Sequence, residues 1–259
     1  MTIKDSILKN YSLSGKVALI TGASRGIGKA SALLFASLGA DIAVNGRNHE
    51  LLSETAEEIE KMDRKSFILE GDISSSEDFP KKMVDKTIKK FGKIDILVNN
   101  AGMVIKKDFL EMTLEDWNQV INVNLTSAML FCQAVLPYMI EKKYGKIVNV
   151  SSLVAKQARL SSAPSYGSSK AGMLYLTRHL AKEFGPSGIY VNAVCPGQIV
   201  AYMTRNWTEE HKKELAFETP LRRLGYPDDV AKAISFLSSD LSSYVNGESI
   251  NVNGGYIMD

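Results

Sequence analysis

The chain alternates short apolar, β-branched runs with longer stretches whose apolar positions recur every three or four residues. Continuous apolar runs of four to eight residues predict strands buried on both faces, and the longer period predicts amphipathic helices. Strands are expected at 16–21 (KVALIT), 41–45 (DIAVN), 66–70 (SFILE), 93–98 (KIDILV), 145–151 (GKIVNVS) and 189–194 (IYVNAV), with 248–253 (ESINVN) as a seventh. Helices are expected at 27–38, 49–62, 76–91, 115–143, 165–184 and 227–238. Alternation at this spacing builds right-handed βαβ units, so the expected fold class is α/β with a parallel sheet.

Local signals refine the picture. Ser74-Ser75-Ser76-Glu77 has the form of a capping box at the start of the third helix. Pro137 lies inside the fourth helical stretch and is expected to kink or shorten it. The segment 196–226 is irregular, with Pro196, Gly197, Pro220 and Gly225 among short helical pieces, and reads as a substrate-binding loop. Repeats, low-complexity tracts and linkers are missing, so residues 1–14 are read as a leader and 15–259 as a single domain.

Composition narrows the function classes. A chain of 259 residues, 45% apolar and 23% charged, can bury a full core. Its net charge of +2 gives no bulk attraction to nucleic acid or an anionic membrane. Cys132 and Cys195 form no disulfide framework, and with the scattered His49, His179 and His211 they show no metal-ligand spacing. The first residues are interrupted by charges, and no run approaches the roughly 18 consecutive apolar residues of a membrane helix. The expected location is the cytoplasm.

Two motifs carry chemistry. TGASRGIG (21–28) follows the first strand and opens the first helix of the βαβ pattern. Its glycines at 22, 26 and 28 allow a tight turn, and the helix N-terminus offers N–H groups to a pyrophosphate. Tyr166 and Lys170 lie four apart in SYGSSKAG (165–172), on one face of a predicted helix. A cation near a phenol favours the phenolate, so the pair is a candidate proton-transfer device. A half-buried tyrosine and a solvated lysine would explain the spacing equally well if it stood alone.

Taken with NNAG (99–102) after the fourth strand and with Ser152, these motifs resemble the short-chain dehydrogenase/reductase family over residues 13 to 259. The resemblance implies a doubly wound Rossmann fold with a seven-stranded parallel sheet. It implies that Gly22, Ser24, Arg25, Gly26, Ile27 and Gly28 line the cofactor's pyrophosphate and adenosine ribose. Asp72 and Ile73 would hold the adenine, although Asp72 also suits a turn. Asn100, with Ala101 and Gly102, would floor the cofactor site, and the Ile199 backbone would meet the nicotinamide carboxamide. Tyr166 would exchange a proton with the substrate oxygen, Ser152 would hold that oxygen, and Lys170 would bind the nicotinamide ribose. Asn124 would hold a water behind Lys170. Spacing leaves Ser151 beside Ser152 and Asn122 beside Asn124 as competitors, and the family pattern favours Ser152 and Asn124. No metal is implied.

The cofactor choice rests on charge. An acidic residue ending the second strand would select a free ribose hydroxyl, but this strand ends Val44-Asn45-Gly46-Arg47. Arg47 and Arg25 suit a 2′-phosphate, which predicts NADP(H). The expected substrate is a ketone or secondary alcohol. The tail TPLRRLGYPDDVAKAISFLSSD (219–240) is most like 3-oxoacyl-acyl-carrier-protein reductases, which would act on a carrier-bound acyl thioester. Gluconate 5-dehydrogenase-like, other polyol and hydroxysteroid dehydrogenases share that tail, and a non-catalytic NADPH-binding regulator is the reading from another class. Leu153, Ala155, Leu160, Tyr202, Met203, Trp207 and Phe217 are expected to wall the pocket, with Arg159 as a site for a carboxylate. Ala201 stands at the usual threonine position, so that carboxamide hydrogen bond is either missing or supplied by Thr204. Lys142 and Lys143 are candidate carrier contacts, with Ser187 where a further cation is expected. Family members are usually homotetramers, and 129–131 and 173–176 are apolar enough to contribute.

Overall fold

The computed structural model describes residues 2–159 and 162–258, with the side chains of Lys4 and Met203 outside that description. All seven expected strands form: β1 (Val17–Ile20), β2 (Asp41–Gly46), β3 (Ser66–Glu70), β4 (Ile96–Asn99), β5 (Gly145–Val150), β6 (Ile189–Pro196) and β7 (Ser249–Val252). They pair in parallel in the order β3-β2-β1-β4-β5-β6-β7. This is the doubly wound α/β arrangement. Its strand order reverses between β1 and β4, and that switch opens a crevice at the carboxyl edge of the sheet.

Strand alternation divides the core into two layers. Ala18 and Ile20 of β1 pack with Ala32 and Phe35 of helix α2 (Gly26–Ser37) and with Val230 and Ile234 of α9 (Pro227–Ser238). Leu19, between them in sequence, points to the other layer. There it joins Met83 and Val84 of α4 (Asp78–Phe91), Phe131 and Val135 of α6 (Ser127–Lys142), and Leu180 of α7 (Pro164–Phe184). Helix α3 (His49–Glu60) adds Leu52 and Ile59 to the first layer.

Several local expectations are corrected. The leader contains helix α1 (Ile3–Tyr11), capped by Thr2 and docked on α9 through a 2.8 Å hydrogen bond between Tyr11 Oη and Ser235 Oγ. The irregular segment contains α8 (Glu209–Glu218), capped by Thr208. The capping box at Ser74–Glu77 does not form: α4 is capped by Glu77 without a side-chain bond. Asp72 instead captures the Ser74 backbone N–H at 2.9 Å and its hydroxyl at 2.7 Å, the stronger offer because a carboxylate is the acceptor.

Pro137 lies within α6, which continues to Lys142, so it does not end the helix. The interruption falls earlier, at a π-helical turn, Asn122–Thr126, joining α5 (Leu114–Ile121) to α6. The combined stretch Leu114–Lys142 is long and apolar enough, by length and composition, to cross a membrane. Much of that apolar surface, including Phe131, Cys132, Val135, Leu136 and Met139, is buried against the sheet.

The opposite, amino edge of the sheet is pinned by Asp95. Its buried carboxylate accepts from the Val17 N–H at 2.9 Å, Lys142 Nζ at 2.7 Å and Lys93 Nζ at 3.0 Å. Burial works against this charge, but the hydrogen bonds from Lys142, Lys93 and Val17 prevail and hold the carboxyl below its usual range.

Candidate active site

The crevice is built on the turn after β1. Gly22 adopts φ +66°, and a methyl group there would lie 2.9 Å from Ala101 Cα. At Gly28 a methyl would lie 2.2 Å from Gly22 O, so helix α2 can cross the turn only with glycine at that position. The Asn100 amide donates to Thr21 O at 2.9 Å and to Gly22 O at 3.1 Å, while Thr21 Oγ1 accepts from the N–H groups of Asn100 and Ala101. Asn100 thus staples the glycine turn to the end of β4. Gly26 is the open member of the set: nothing lies nearer to a methyl there than Ala201 Cβ at 3.9 Å. Arg25 caps α2 without a side-chain hydrogen bond to its first turn. An uncapped first turn beside an open glycine is a cradle that fits a cofactor pyrophosphate.

The adenosine side is formed by the ends of β2 and β3. Gly46 lies against Ser24, where a methyl group would come within 3.4 Å of Ser24 Oγ. Arg47 is 75% exposed and pairs with Asp72 at 3.4 Å. Asp72 therefore joins the turn, through Ser74, to the predicted phosphate-binding cation. Ile73 is buried beside it.

On the other side of β4, the sheet edge carries the second cluster. Ser152 follows β5 in extended conformation, and its Oγ accepts the Val154 N–H at 3.4 Å; its hydroxyl also lies close enough to the Tyr166 phenol to pull that pKa down. Tyr166 is the third residue of α7, and Lys170 follows one turn later. Of the two adjacent serines, Ser151 is buried and donates to Lys170 O at 2.9 Å. The two asparagines also differ in burial. Asn122 is exposed on the helix surface, whereas Asn124 is fully buried. Asn124 accepts from Met103 N at 2.8 Å and donates to Met103 O and Ser169 Oγ, each at 3.0 Å. Ser169 in turn donates to Tyr166 O at 2.7 Å. Gly102 completes the cluster: a methyl there would lie 3.3 Å from Asn124 Oδ1 and 3.5 Å from Lys170 Nζ.

The electrostatics differ from the simple phenol–ammonium pair. Lys170 Nζ lies 5.8 Å from the centre of the Tyr166 ring and donates to Val150 O at 2.8 Å. Burial pushes the Lys170 pKa down to about 8. Burial also raises the Tyr166 phenol, against the opposing pull of the Ser152 hydrogen bond. Burial dominates both shifts, and the opposing pull on the phenol comes from Ser152 rather than from Lys170.

Other expected residues fall elsewhere. Leu153 is buried in the protein, and Ala155 packs on Leu174, Ala193 and Cys195. Phe217 is 72% exposed beneath Arg222, and Trp207 meets His211 edge-on. Leu160 and the Met203 side chain lie outside the described residues. Arg159 is engaged by Tyr256 at 2.7 Å, which donates to Glu218 at 2.8 Å, so a carboxylate of the chain sits near where a substrate carboxylate was expected. Thr204 Oγ1 accepts from Ala201 N at 2.9 Å and donates to backbone oxygens, which commits it to its own turn. Ile199 is buried and bridges to Gly225. Lys142 is committed to Asp95, and Lys143 and Ser187 immediately precede β5 and β6. All three therefore lie at the amino edge, one strand length of about 20 Å from the Ser152 edge of the sheet.

Sequence spacing missed Ser169 and the Val150 carbonyl, and Tyr202, expected as a pocket wall, instead stacks on Arg25. Ser169 stands between Tyr166 and Lys170 in the run itself, and an i, i−3 hydroxyl-to-carbonyl bond was its available signal.

A glycine-cradled crevice at the switch point and a Ser-Tyr-Lys cluster beside it define a nicotinamide-type oxidoreductase on a Rossmann fold. Residues 22–257 match the family described as enoyl-(acyl carrier protein) reductase. The chain is 42% identical to the 3-oxoacyl-[acyl-carrier-protein] reductase of Thermotoga maritima, over 95% of this chain and 99% of that protein. It is also 42% identical to the same reductase of Aquifex aeolicus, over 94% and 98%. A short-chain type dehydrogenase/reductase from Mycobacterium marinum superposes with a TM-score of 0.92 at 34% identity, covering 98% of this chain and 100% of that one. The chain belongs to the short-chain dehydrogenase/reductase family, and it is an oxidoreductase of the ketone and CH–OH class.

Proposed function

We propose that the protein reduces a 3-oxoacyl thioester, presented on an acyl carrier, to the 3-hydroxyacyl thioester with NADPH. The observation that carries this reading is the convergence of the Ser152 and Tyr166 hydroxyls next to buried Lys170 and Asn124. The cofactor supplies a hydride when bound. The rest of the reaction is proton and charge management by this chain. Carbonyl reduction builds negative charge on one oxygen, and two adjacent hydroxyls can meet it. Ser152 holds that oxygen and Tyr166 delivers the proton. Lys170 moves from the Val150 carbonyl toward the cofactor ribose, and Asn124 keeps the Met103 backbone and α7 in place behind it. An enoyl reduction would not need both hydroxyls on a substrate oxygen, so the ketone reading is preferred.

The cofactor residues in this reading are Gly22, Ser24, Arg25, Gly26, Ile27, Gly28, Arg47, Asp72, Ile73, Asn100, Tyr166, Lys170 and Ile199. NADP(H) is favoured by Arg25 and Arg47 and by the glycine at position 46. The chain from residue 15 onward works as one domain, in a homotetramer, in the cytoplasm. Cys132 and Cys195, both buried and outside any disulfide, suit a reducing compartment.

The test is NADPH oxidation with 3-oxoacyl thioesters against keto-sugars and steroid ketones. Tyr166→Phe is expected to remove nearly all turnover while retaining NADPH binding. Turnover retained by that variant refutes the mechanism. Equal efficiency with NADH, together with no loss for Arg47→Ala, refutes the cofactor assignment.

A further inference from the structure

Tyr202, the first residue of the short helical turn Tyr202–Thr204, is held between two arginines. Arg25 Cζ and Arg205 Cζ each lie 3.7 Å from the centre of its ring. Two guanidinium groups at that height cannot share one face, so the ring is sandwiched. Arg205 also donates to Tyr202 O at 2.8 Å, which ties that arginine to its own turn. Arg25 comes from the glycine turn. Among the described residues no carboxylate pairs with Arg25, and its partner is the ring. The neighbouring Ala201 faces Gly26 at the same crossing. The substrate segment therefore touches the glycine turn at Arg25 and faces it at Gly26, and the contact uses a cation that the NADP(H) reading needs elsewhere.

Arg47 is in a similar position, since it is paired with Asp72. The difference lies in what releasing each arginine does. Freeing Arg47 disturbs only the β2–β3 rim. Freeing Arg25 unties the substrate segment from the phosphate turn.

We propose that Tyr202 is a cofactor-specificity residue, which competes with the cofactor's 2′-phosphate for Arg25. The proposal rests on the NADP(H) reading above. A dianionic phosphate binds guanidinium through charge-assisted hydrogen bonds, which outweigh stacking on a half-exposed ring. The phosphate therefore draws Arg25 away, and the same event releases the substrate segment. A cofactor without the 2′-phosphate leaves the stack in place. Cofactor choice and the freedom of the substrate segment are thus joined through one side chain.

The size of the effect follows from the stack. An exposed cation–π contact corresponds to about a 2- to 5-fold change in an equilibrium constant. The experiment is fluorescence titration of NADPH and NADH into the wild type, Tyr202→Ala, Tyr202→Phe, Arg25→Ala and the Arg25→Ala/Tyr202→Ala double variant, with thermal melts to verify folding. Tyr202→Ala is expected to tighten NADPH about 2- to 5-fold and leave NADH unchanged. Tyr202→Phe, which keeps the ring, should match the wild type. The effect should vanish in the Arg25→Ala background. Weakened or unchanged NADPH binding in Tyr202→Ala, or an equal shift for both cofactors, overturns the proposal. A wild type that does not prefer NADPH, with no NADPH loss in Arg25→Ala, fails the cofactor reading itself. A wild-type preference that Tyr202→Ala does not alter fails the competition alone.

Discussion

The Lys170 ammonium donates to the Val150 carbonyl oxygen at 2.8 Å, anchoring a helix-borne cation to the last residue of β5. This bond is a resting contact that a ribose hydroxyl can replace without leaving the ammonium dry. Lys170→Met keeps the volume and removes every donor. Turnover is expected to fall about 10²- to 10⁴-fold, the range for losing a proton-transfer partner, and cofactor affinity should fall with it. Steady-state kinetics and direct titration check both. A variant with full kcat and only a raised KM would confine Lys170 to binding.

The two asparagines of NVNL should behave differently. Asn124 is buried, and truncating it strands the Met103 N–H and C=O. Each stranded group costs about 1–3 kcal/mol, so Asn124→Ala should lower both the melting temperature and turnover. Asn122 is exposed and meets only Thr126, at 3.4 Å. Asn122→Ala should leave stability within about 0.5 kcal/mol. Thermal melts of the two variants separate them.

Much of this site was legible in the sequence because its spacing rules are strict. The β-branched runs gave the strands, and the glycine turn could follow only the first of them. The choice between Asn122 and Asn124 was not legible from pattern alone. Both lie in one π-helical turn, and which of them is buried is set by how that turn packs rather than by the regular helical period. Helix α8 is legible only as one of several short helical pieces, because EEHKKELAFE buries only Leu215 and has no apolar face to set its bounds. The Ser74 box was misread because spacing cannot reveal a competing carboxylate, here Asp72. Arg25 lies in the glycine turn after β1, and the distant Tyr202 that stacks on it has no local signal.

Asp95 offers a test far from the chemistry. Its carboxylate is nearly fully buried, and three donors converge on it. Asp95→Asn should destabilise by about 2–3 kcal/mol, below the cost of breaking a fully buried pair, because Lys93 and Lys142 are about a third exposed. Its folded pKa is depressed, so the wild type holds this stability above the unfolded value of 3.8 and loses it as pH falls through the folded value. Denaturant unfolding between pH 6 and 3 should show a steeper acid loss in the wild type than in the variant.

Lys146 should be a stability defect in the native sequence. It is 1% exposed, its ammonium has no hydrogen-bond partner among the described residues, and it rests 3.7 Å from the centre of the Tyr190 ring. Burial pushes its pKa down to about 8, with Asp240 opposing and Lys16 adding to the shift. The unfolded chain therefore holds more protons than the folded one between pH 8 and 10.5, so stability rises with pH there. Lys170, also at about 8, adds to the same slope. The trend should reverse above about pH 10, where unfolded tyrosines ionise but Tyr144 and Tyr166, both raised by burial, do not. Lys146→Met removes the charge at similar volume and forfeits the contact with Tyr190, worth up to about 2 kcal/mol when desolvated. Desolvation of the ammonium costs on the order of 3 kcal/mol, so a net gain of about 1 kcal/mol is expected at pH 7. This corresponds to a rise of roughly 2–4 °C in melting temperature. The variant should also lose part of the alkaline slope while keeping the share due to Lys170. A lower melting temperature at pH 7 would show that the contact with Tyr190 outweighs the desolvation of the ammonium.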